Sequence, residues 1–210
     1  MKKFILAAGI LFSFVSAFSQ FYEVTPLAGY TFSGEADNGY GKYDLKNSFL
    51  YGARFDVQLA DLSYIELSVR RNDPGITYLP STVNTTYDFN SGTAHYMVGF
   101  LKEFKAGKIT PFGLISAGTS RYWIKEKEGV DENYRRWFFS TEFALGAKIF
   151  FTENIGLRLQ GAVTTPWDFA GGGMYWGVGT GGAGANASMT FGIPVAHWDL
   201  SAGIIIRIKD

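Results

Sequence analysis

The chain has 210 residues, with nineteen basic and nineteen acidic side chains; that balance, without a run of like charge, argues against a nucleic-acid partner. It has no cysteine, which excludes a disulfide-stapled extracellular scaffold, so a large core or a closed sheet has to supply the stability. Aromatic residues make up 17% of the chain and glycines number 26, a combination that fits many strands joined by turns, with amphipathic rings available for interfaces.

Met1-Lys2-Lys3, an apolar stretch from Phe4 to Val15 and then Ser16-Ala17-Phe18-Ser19-Gln20 have the order of a secretory signal, and cleavage is expected after Ser19. The apolar stretch is shorter than the roughly 20 residues a membrane helix needs. Residues 1–19 are therefore set aside as a signal, and residues 20–210 are expected to form one domain.

From there on, period-2 alternation recurs and divides each segment into two faces. The first strand, Phe21 to Phe32, has Tyr22, Val24, Ala28, Tyr30 and Phe32 on its apolar face. Pro26 lacks a ladder donor there and marks a bulge or a weakly paired spot. From Asn47 to Leu59, Phe49, Tyr51, Ala53, Phe55, Val57 and Leu59 oppose Ser48, Gly52, Arg54, Asp56 and Gln58. Ile65, Leu67 and Val69 oppose Glu66, Ser68 and Arg70; Tyr96, Val98 and Phe100 oppose His95, Gly99 and, further on, Glu103. The segment Ile109 to Tyr122 is ambiguous in phase and is placed as a strand by position.

From Arg136 to Phe151, Trp137, Phe139, Phe143, Leu145, Ala147, Ile149 and Phe151 oppose Arg136, Ser140, Glu142, Gly146 and Lys148. Ile155, Leu157 and Leu159 then oppose Arg158 and Gln160, and at the C-terminus Trp198, Leu200, Ala202, Ile204, Ile206 and Ile208 oppose His197, Asp199, Ser201, Gly203 and Arg207. These are eight strands. Tight turns at 59–61, 105–108 and 152–154 alternate with long loops at 33–46, 72–92, 123–135 and 167–192. An even strand number with this alternation predicts an all-β fold: an eight-stranded antiparallel up-and-down transmembrane barrel with short periplasmic turns and long extracellular loops.

The charges predict which face is inside. Arg54, Arg70, Lys148, Arg158 and Arg207 share the non-apolar faces with Asp56, Glu66, Glu103, Glu142 and Asp199, five against five, as a lumen of ion pairs requires. Eight strands enclose a space just wide enough for side chains, so a plugged lumen rather than an aqueous pore is expected. Tyr22 to Phe32 extends about 33 Å at 3.3 Å per residue, or roughly 25 Å along the membrane normal after a tilt of about 40°. Phe32, Tyr51, Tyr96, Trp137 and Trp198 toward the loops, and Tyr22, Phe104 and Phe151 toward the turns, read as two interfacial girdles. A soluble β-sandwich with aromatic core residues is the alternative, but sandwiches seldom alternate turn lengths so regularly.

Glu23-Val24-Thr25-Pro26-Leu27-Ala28-Gly29-Tyr30-Thr31-Phe32 and the block running from Leu145-Gly146-Ala147-Lys148 through Thr152-Glu153-Asn154 to Leu157-Arg158-Leu159 resemble the first strand and the sixth-to-seventh hairpin of small outer-membrane barrels of the OmpW-like and OmpX-like group. The last strand, with Ser201, Gly203, Ile206 and Ile208, resembles the signal read by the barrel-assembly machinery, although Lys209 and Asp210 stand where that group ends on an aromatic residue. The resemblance implies a bacterial outer-membrane location, that machinery as a partner during biogenesis, and lipid with lipopolysaccharide as surroundings. OmpW-like members are associated with passage of small hydrophobic molecules, others with adhesion or envelope integrity.

His95 and His197 lie on polar faces near the long-loop ends, with Asp199, Ser91 and Ser201 near in sequence; a lipid-modifying enzyme would put its base there, but no compact nucleophile motif surrounds them. Lumen polar residues are the preferred reading, and no catalytic residue is assigned. Gly177-Val178-Gly179-Thr180-Gly181-Gly182 matches a dinucleotide fingerprint only formally, because the strand and helix it needs are missing from the pattern. Met174, Tyr175 and Trp176 in that loop are candidate contacts for a hydrophobic ligand or surface partner. Asn84-Thr85-Thr86 and Asn186-Ala187-Ser188 match a glycosylation pattern of little meaning in such a barrel. Metal-ligand spacings are absent, and no cofactor is expected. The resulting expectation is a non-enzymatic barrel serving envelope integrity or surface interaction through its loops; a conduit for small hydrophobic molecules and a lipid-modifying enzyme are the alternatives.

Overall fold

A computed structural model of the protein describes residues 21–32, 35–37, 41–80, 86–105, 107–125, 135–169, 191–192 and 196–209. The wall is built from β1 (Phe21–Phe32), β2 (Ser48–Ala60), β3 (Ser63–Asn72), β4 (Tyr87–Glu103), β5 (Ile109–Lys125), β6 (Arg135–Phe150), β7 (Ile155–Phe169) and β8 (His197–Lys209). Each strand pairs antiparallel with its neighbours in sequence, and β1 pairs with β8 from Phe21↔Lys209 to Phe32↔Trp198. The sheet is thus a closed eight-stranded up-and-down barrel, and closure removes the unpaired edges that an open sheet would expose.

The closing seam carries one irregularity. Val24↔Ile206 and Leu27↔Gly203 keep a single register, but Thr25 and Pro26 between them are not bridged to β8. Pro26 therefore produces a weakly paired spot and not a bulge. Its partner on the other side, Ala53 of β2, remains in register.

Short connections lie at one end. Asp61 and Leu62 join β2 to β3, with Leu62 in the left-handed region at φ 58°. Between β6 and β7, the Thr152 hydroxyl accepts the backbone N–H of Ile155 at 3.0 Å and Phe151 N–H donates to the Ile155 carbonyl at 2.9 Å, a local closure typical of Ser and Thr in turns.

At the opposite end, three of the expected loops contain further strand, the shortest being Phe191–Gly192 in 167–192, which pairs with the end of β7. Gly41–Leu45 pairs with Gly75–Pro80, and Gly75–Pro80 pairs with the start of β4 from Gly75↔Asn90 to Tyr78↔Tyr87. Glu35–Asp37 adds to Gly41–Leu45. The intervals 33–46 and 72–92 are therefore only partly loop. Ile76, Thr77, Tyr78, Tyr87 and Phe89 are β-formers, and Thr77 donates its hydroxyl to Asp88 at 2.6 Å.

The two faces of the wall differ in kind. Outside stand Leu67, Val69, Val98, Phe100, Ile115, Phe143, Leu145, Leu200, Ile204 and Ile206, all exposed, while Arg54, Asp56, Glu66, Arg70, Glu142, Lys148 and Arg158 are buried inside. A water-soluble barrel has the reverse arrangement. The phase of β5 is also settled: Thr110, Phe112, Leu114, Ser116 and Ser120 face inward, and Ile109 and Ile115 face outward. Its pattern was ambiguous because Phe112 and Leu114 join an apolar cluster in the lumen with Tyr64, Leu101, Ala144 and Ala162.

Two inward glycines mark how tightly the wall curls. A Cβ on Gly52 would lie 2.2 Å from the Val69 carbonyl oxygen, and one on Gly118 would lie 2.0 Å from that of Tyr96. No L side chain fits at such an approach of neighbouring backbones.

Candidate functional site

The charged side chains of the lumen come from strands on facing sides of the barrel. Asp56 of β2 and Glu66 of β3 are cross-strand neighbours, as are Lys148 of β6 and Arg158 of β7. Like charges placed side by side repel, and each pair is stabilised by reaching across the lumen to the other. Lys148 Nζ lies 3.3 Å from Asp56 Oδ2, and Arg158 donates to Asp56 at 3.2 Å and to Glu66 at 2.6 Å.

Nearer the loops the polarity inverts. Cations now come from β2 and β3, as Arg54 and Arg70, and carboxylates from β6 and β8, as Glu142 and Asp199. Arg54 donates to Glu66 and, at 3.2 Å, to Glu142. Arg70 donates to Glu142 and, at 2.9 Å, to Asp199 Oδ2, while the Thr31 hydroxyl donates to Asp199 Oδ1 at 2.6 Å. Nearer the turns, Lys148 meets Glu23 at 2.6 Å and Glu103 at 3.0 Å, and Arg207 donates to Glu23 at 2.6 Å and 2.9 Å.

The result is one connected chain of charge, from Arg207 through Glu23, Lys148, Asp56, Arg158, Glu66, Arg54, Glu142 and Arg70 to Asp199. Arg54, Asp56, Glu66, Arg70, Glu103, Glu142, Lys148, Arg158 and Asp199 are each at most 4% exposed. Aromatic rings of the apolar cluster add to the cation sites: Lys148 Nζ sits 4.3 Å from the Tyr64 ring and the Arg158 guanidinium 4.5 Å from that of Phe112. Both distances are within the range of cation–π attraction.

All ten charged residues chosen from the sequence meet in this network. Glu23 was missed, although it shares the inward phase with Thr25 and Thr31 opposite Tyr22 and Val24. With it, the described lumen network has six carboxylates to five cations, in place of the expected five and five. Glu23 binds two cations, Lys148 and Arg207, which is why the extra carboxylate is accommodated.

Above Arg70 the lumen changes character. His95 Nδ1 is hydrogen-bonded to Ser120 Oγ at 2.6 Å, and the Tyr122 hydroxyl to His197 Nε2 at 3.0 Å. The two imidazole rings are 6.0 Å apart, and Tyr122 stacks on His197. The serine hydroxyl against His95 is thus that of Ser120, while Ser91 donates to the Pro74 carbonyl at 2.7 Å. Ser120 and His197 are fully buried and His95 is 2% exposed. Met174, Tyr175 and Trp176 lie outside the described residues, as does the signal segment.

No protein-family model matches the chain, and no curated protein matches it in sequence. Among solved structures, Neisserial surface protein A is similar, with a TM-score of 0.55 at 13% identity over 90% of this chain and 97% of that one. The outer membrane protein OprG from Pseudomonas aeruginosa is similar at a TM-score of 0.54 and 11% identity, over 91% of this chain and 97% of that one. At such identities the likeness is one of fold, and the fold is that of the small outer-membrane barrels.

Proposed function

We propose that the chain is an integral outer-membrane barrel, closed inside by its own ion pairs, that anchors surface loops for envelope integrity or surface interaction and catalyses no reaction. The observation that carries this reading is the inversion of the wall: apolar side chains cover the outside, and a connected set of buried charges lies inside. Only a lipid surrounding makes that distribution favourable, since every apolar outward residue would otherwise face water. Outward aromatics bound the band at both ends, with Tyr51, Tyr96, Trp137 and Trp198 toward the loops and Phe104 and Phe151 toward the turns, as interfacial girdles do. Residues 1–19 serve as the export signal, and the assembly machinery inserts the strands. The sealed lumen favours an anchor over a conduit for hydrophobic solutes. Burial of Ser120 and His95 speaks against an enzyme, because a substrate has no access to that pair.

Refolding the mature chain into phosphatidylcholine vesicles tests the membrane reading. The expected product floats with the vesicles, resists carbonate extraction, and runs on a detergent gel at a different mobility before and after boiling. A chain that stays soluble and monomeric, with unshifted mobility, would contradict it.

A further inference from the structure

The outer wall is not apolar throughout. On the loop-side end of β2 to β6 lies a groove of about 550 Å³, lined among others by Tyr51, Arg71, Tyr96, Arg121, Trp123 and Arg135. Trp123 is its centre. On one flank it is opposite Gly92 of β4 and on the other opposite Arg135 of β6. A Cβ on Gly92 would come within 2.2 Å of the indole, so the glycine is what lets the ring lie flat against the wall. The Arg71 guanidinium sits 5.0 Å from that ring and the Arg121 guanidinium 5.6 Å from it, and Arg121 is also 5.6 Å from the Trp137 ring. A guanidinium held against a ring in this way keeps its N–H groups able to donate; Arg71 directs Nε and Nη2 to Asp73, and its Nη1 stays available.

Among the described residues the cations here outnumber the carboxylates that pair with them. Asp73 holds Arg71 at 2.9 Å, but among the described residues no carboxylate pairs with Arg121 or Arg135. Immediately toward the turns the same wall is apolar, with Val69 and Val98 exposed. Cations without a counter-charge at the margin of a hydrocarbon layer are costly unless an anion meets them at headgroup level. The level is given by Tyr51, Tyr96 and Trp137 of the loop-side girdle. The guanidinium forks of Arg121 and Arg135 match phosphate oxygens in geometry as well as charge, Arg71 adds its remaining N–H beside Asp73, and the apolar wall below is where acyl chains attached to that phosphate would lie.

We infer that this groove is a binding site for the phosphorylated headgroup of a lipid in the loop-side leaflet, held by Arg71, Arg121 and Arg135 around Trp123. The inference rests on the membrane reading of the barrel. Its occupant is a lipid phosphate, because soluble phosphate would gain nothing from the apolar half of the groove.

The test is native mass spectrometry of the refolded barrel titrated with bisphosphorylated lipid A, the same glycolipid after phosphatase treatment, and inorganic phosphate. The intact chain is expected to retain the phosphorylated lipid, and the triple variant Arg71→Gln, Arg121→Gln, Arg135→Gln to hold it at least about tenfold more weakly, the size of one lost charge-assisted bond. Gly92→Val, which displaces the indole, is expected to weaken it likewise. Equal retention by the intact and triple-variant barrels, or undiminished retention of the dephosphorylated lipid, would overturn the site. Displacement by inorganic phosphate at concentrations comparable to the lipid would overturn the lipid as its occupant. Because each protein is first checked for heat-shifted mobility, a failure to insert counts against the membrane reading, and normal insertion with equal retention counts against this site alone.

Discussion

Replacing Glu142 by Ala is expected to destabilise the barrel by about 3–5 kcal/mol, the cost of leaving buried cations without their partner. Glu142 is the only carboxylate in the described network that joins Arg54 to Arg70. It is supported by the Thr164 hydroxyl at 3.3 Å. Without it, Arg54 keeps Glu66 and Arg70 keeps Asp199, but two fully buried guanidinium groups face a gap. An intact buried pair is close to neutral against a well-packed apolar replacement, whereas a broken one is not. The variant Glu142→Ala with Arg54→Met and Arg70→Met is therefore expected to recover part of the loss. Urea unfolding of the vesicle-inserted proteins, followed by tryptophan fluorescence, measures both. A Glu142→Ala midpoint no lower than that of an outward Leu67→Ala control would show that the network contributes nothing to stability.

Leu145→Arg is expected to cost about 2–4 kcal/mol in a bilayer and Phe104→Arg only about 0–1, following the depth dependence of a charge on a lipid-facing strand. Leu145 is an outward residue of β6 and Phe104 stands at the turn end, both more than half exposed. In water the two substitutions should be equally harmless, so the contrast arises from the membrane alone. The fraction folded into vesicles of the two variants reads it directly. Equal effects would place both residues at one depth and undo the assignment of the band.

The architecture was legible in the sequence because lipid outside and charge inside impose a strict period of two on nearly every strand. Arg54, Asp56, Glu66 and Arg70 could be assigned to the lumen from phase alone. Their partners could not, since whether β2 faces β6 or β7 depends on the stagger of the closed sheet. The phase of β5 was hidden by Phe112 and Leu114, whose apolar side chains serve the lumen cluster and so imitate the outer face. Glu23 was legible and overlooked, being in phase with Thr25 and Thr31. The site around Trp123 was obscured for a different reason. Arg121, Trp123 and Arg135 lie in or beside what read as the 123–135 loop, and only the register of β4, β5 and β6 brings Gly92, Trp123 and Arg135 side by side. The strands within 33–46 and 72–92 were lost because each is too short to show its period against neighbouring turn residues.

Conductance of single barrels in planar bilayers reads out whether the lumen is closed by its own ion pairs. The refolded intact chain is expected to give no steps above background, and the double variant Arg54→Ala, Glu142→Ala, which removes the middle of the network, is expected to open small ones. Steady, discrete conductance from the intact chain would contradict the sealed lumen.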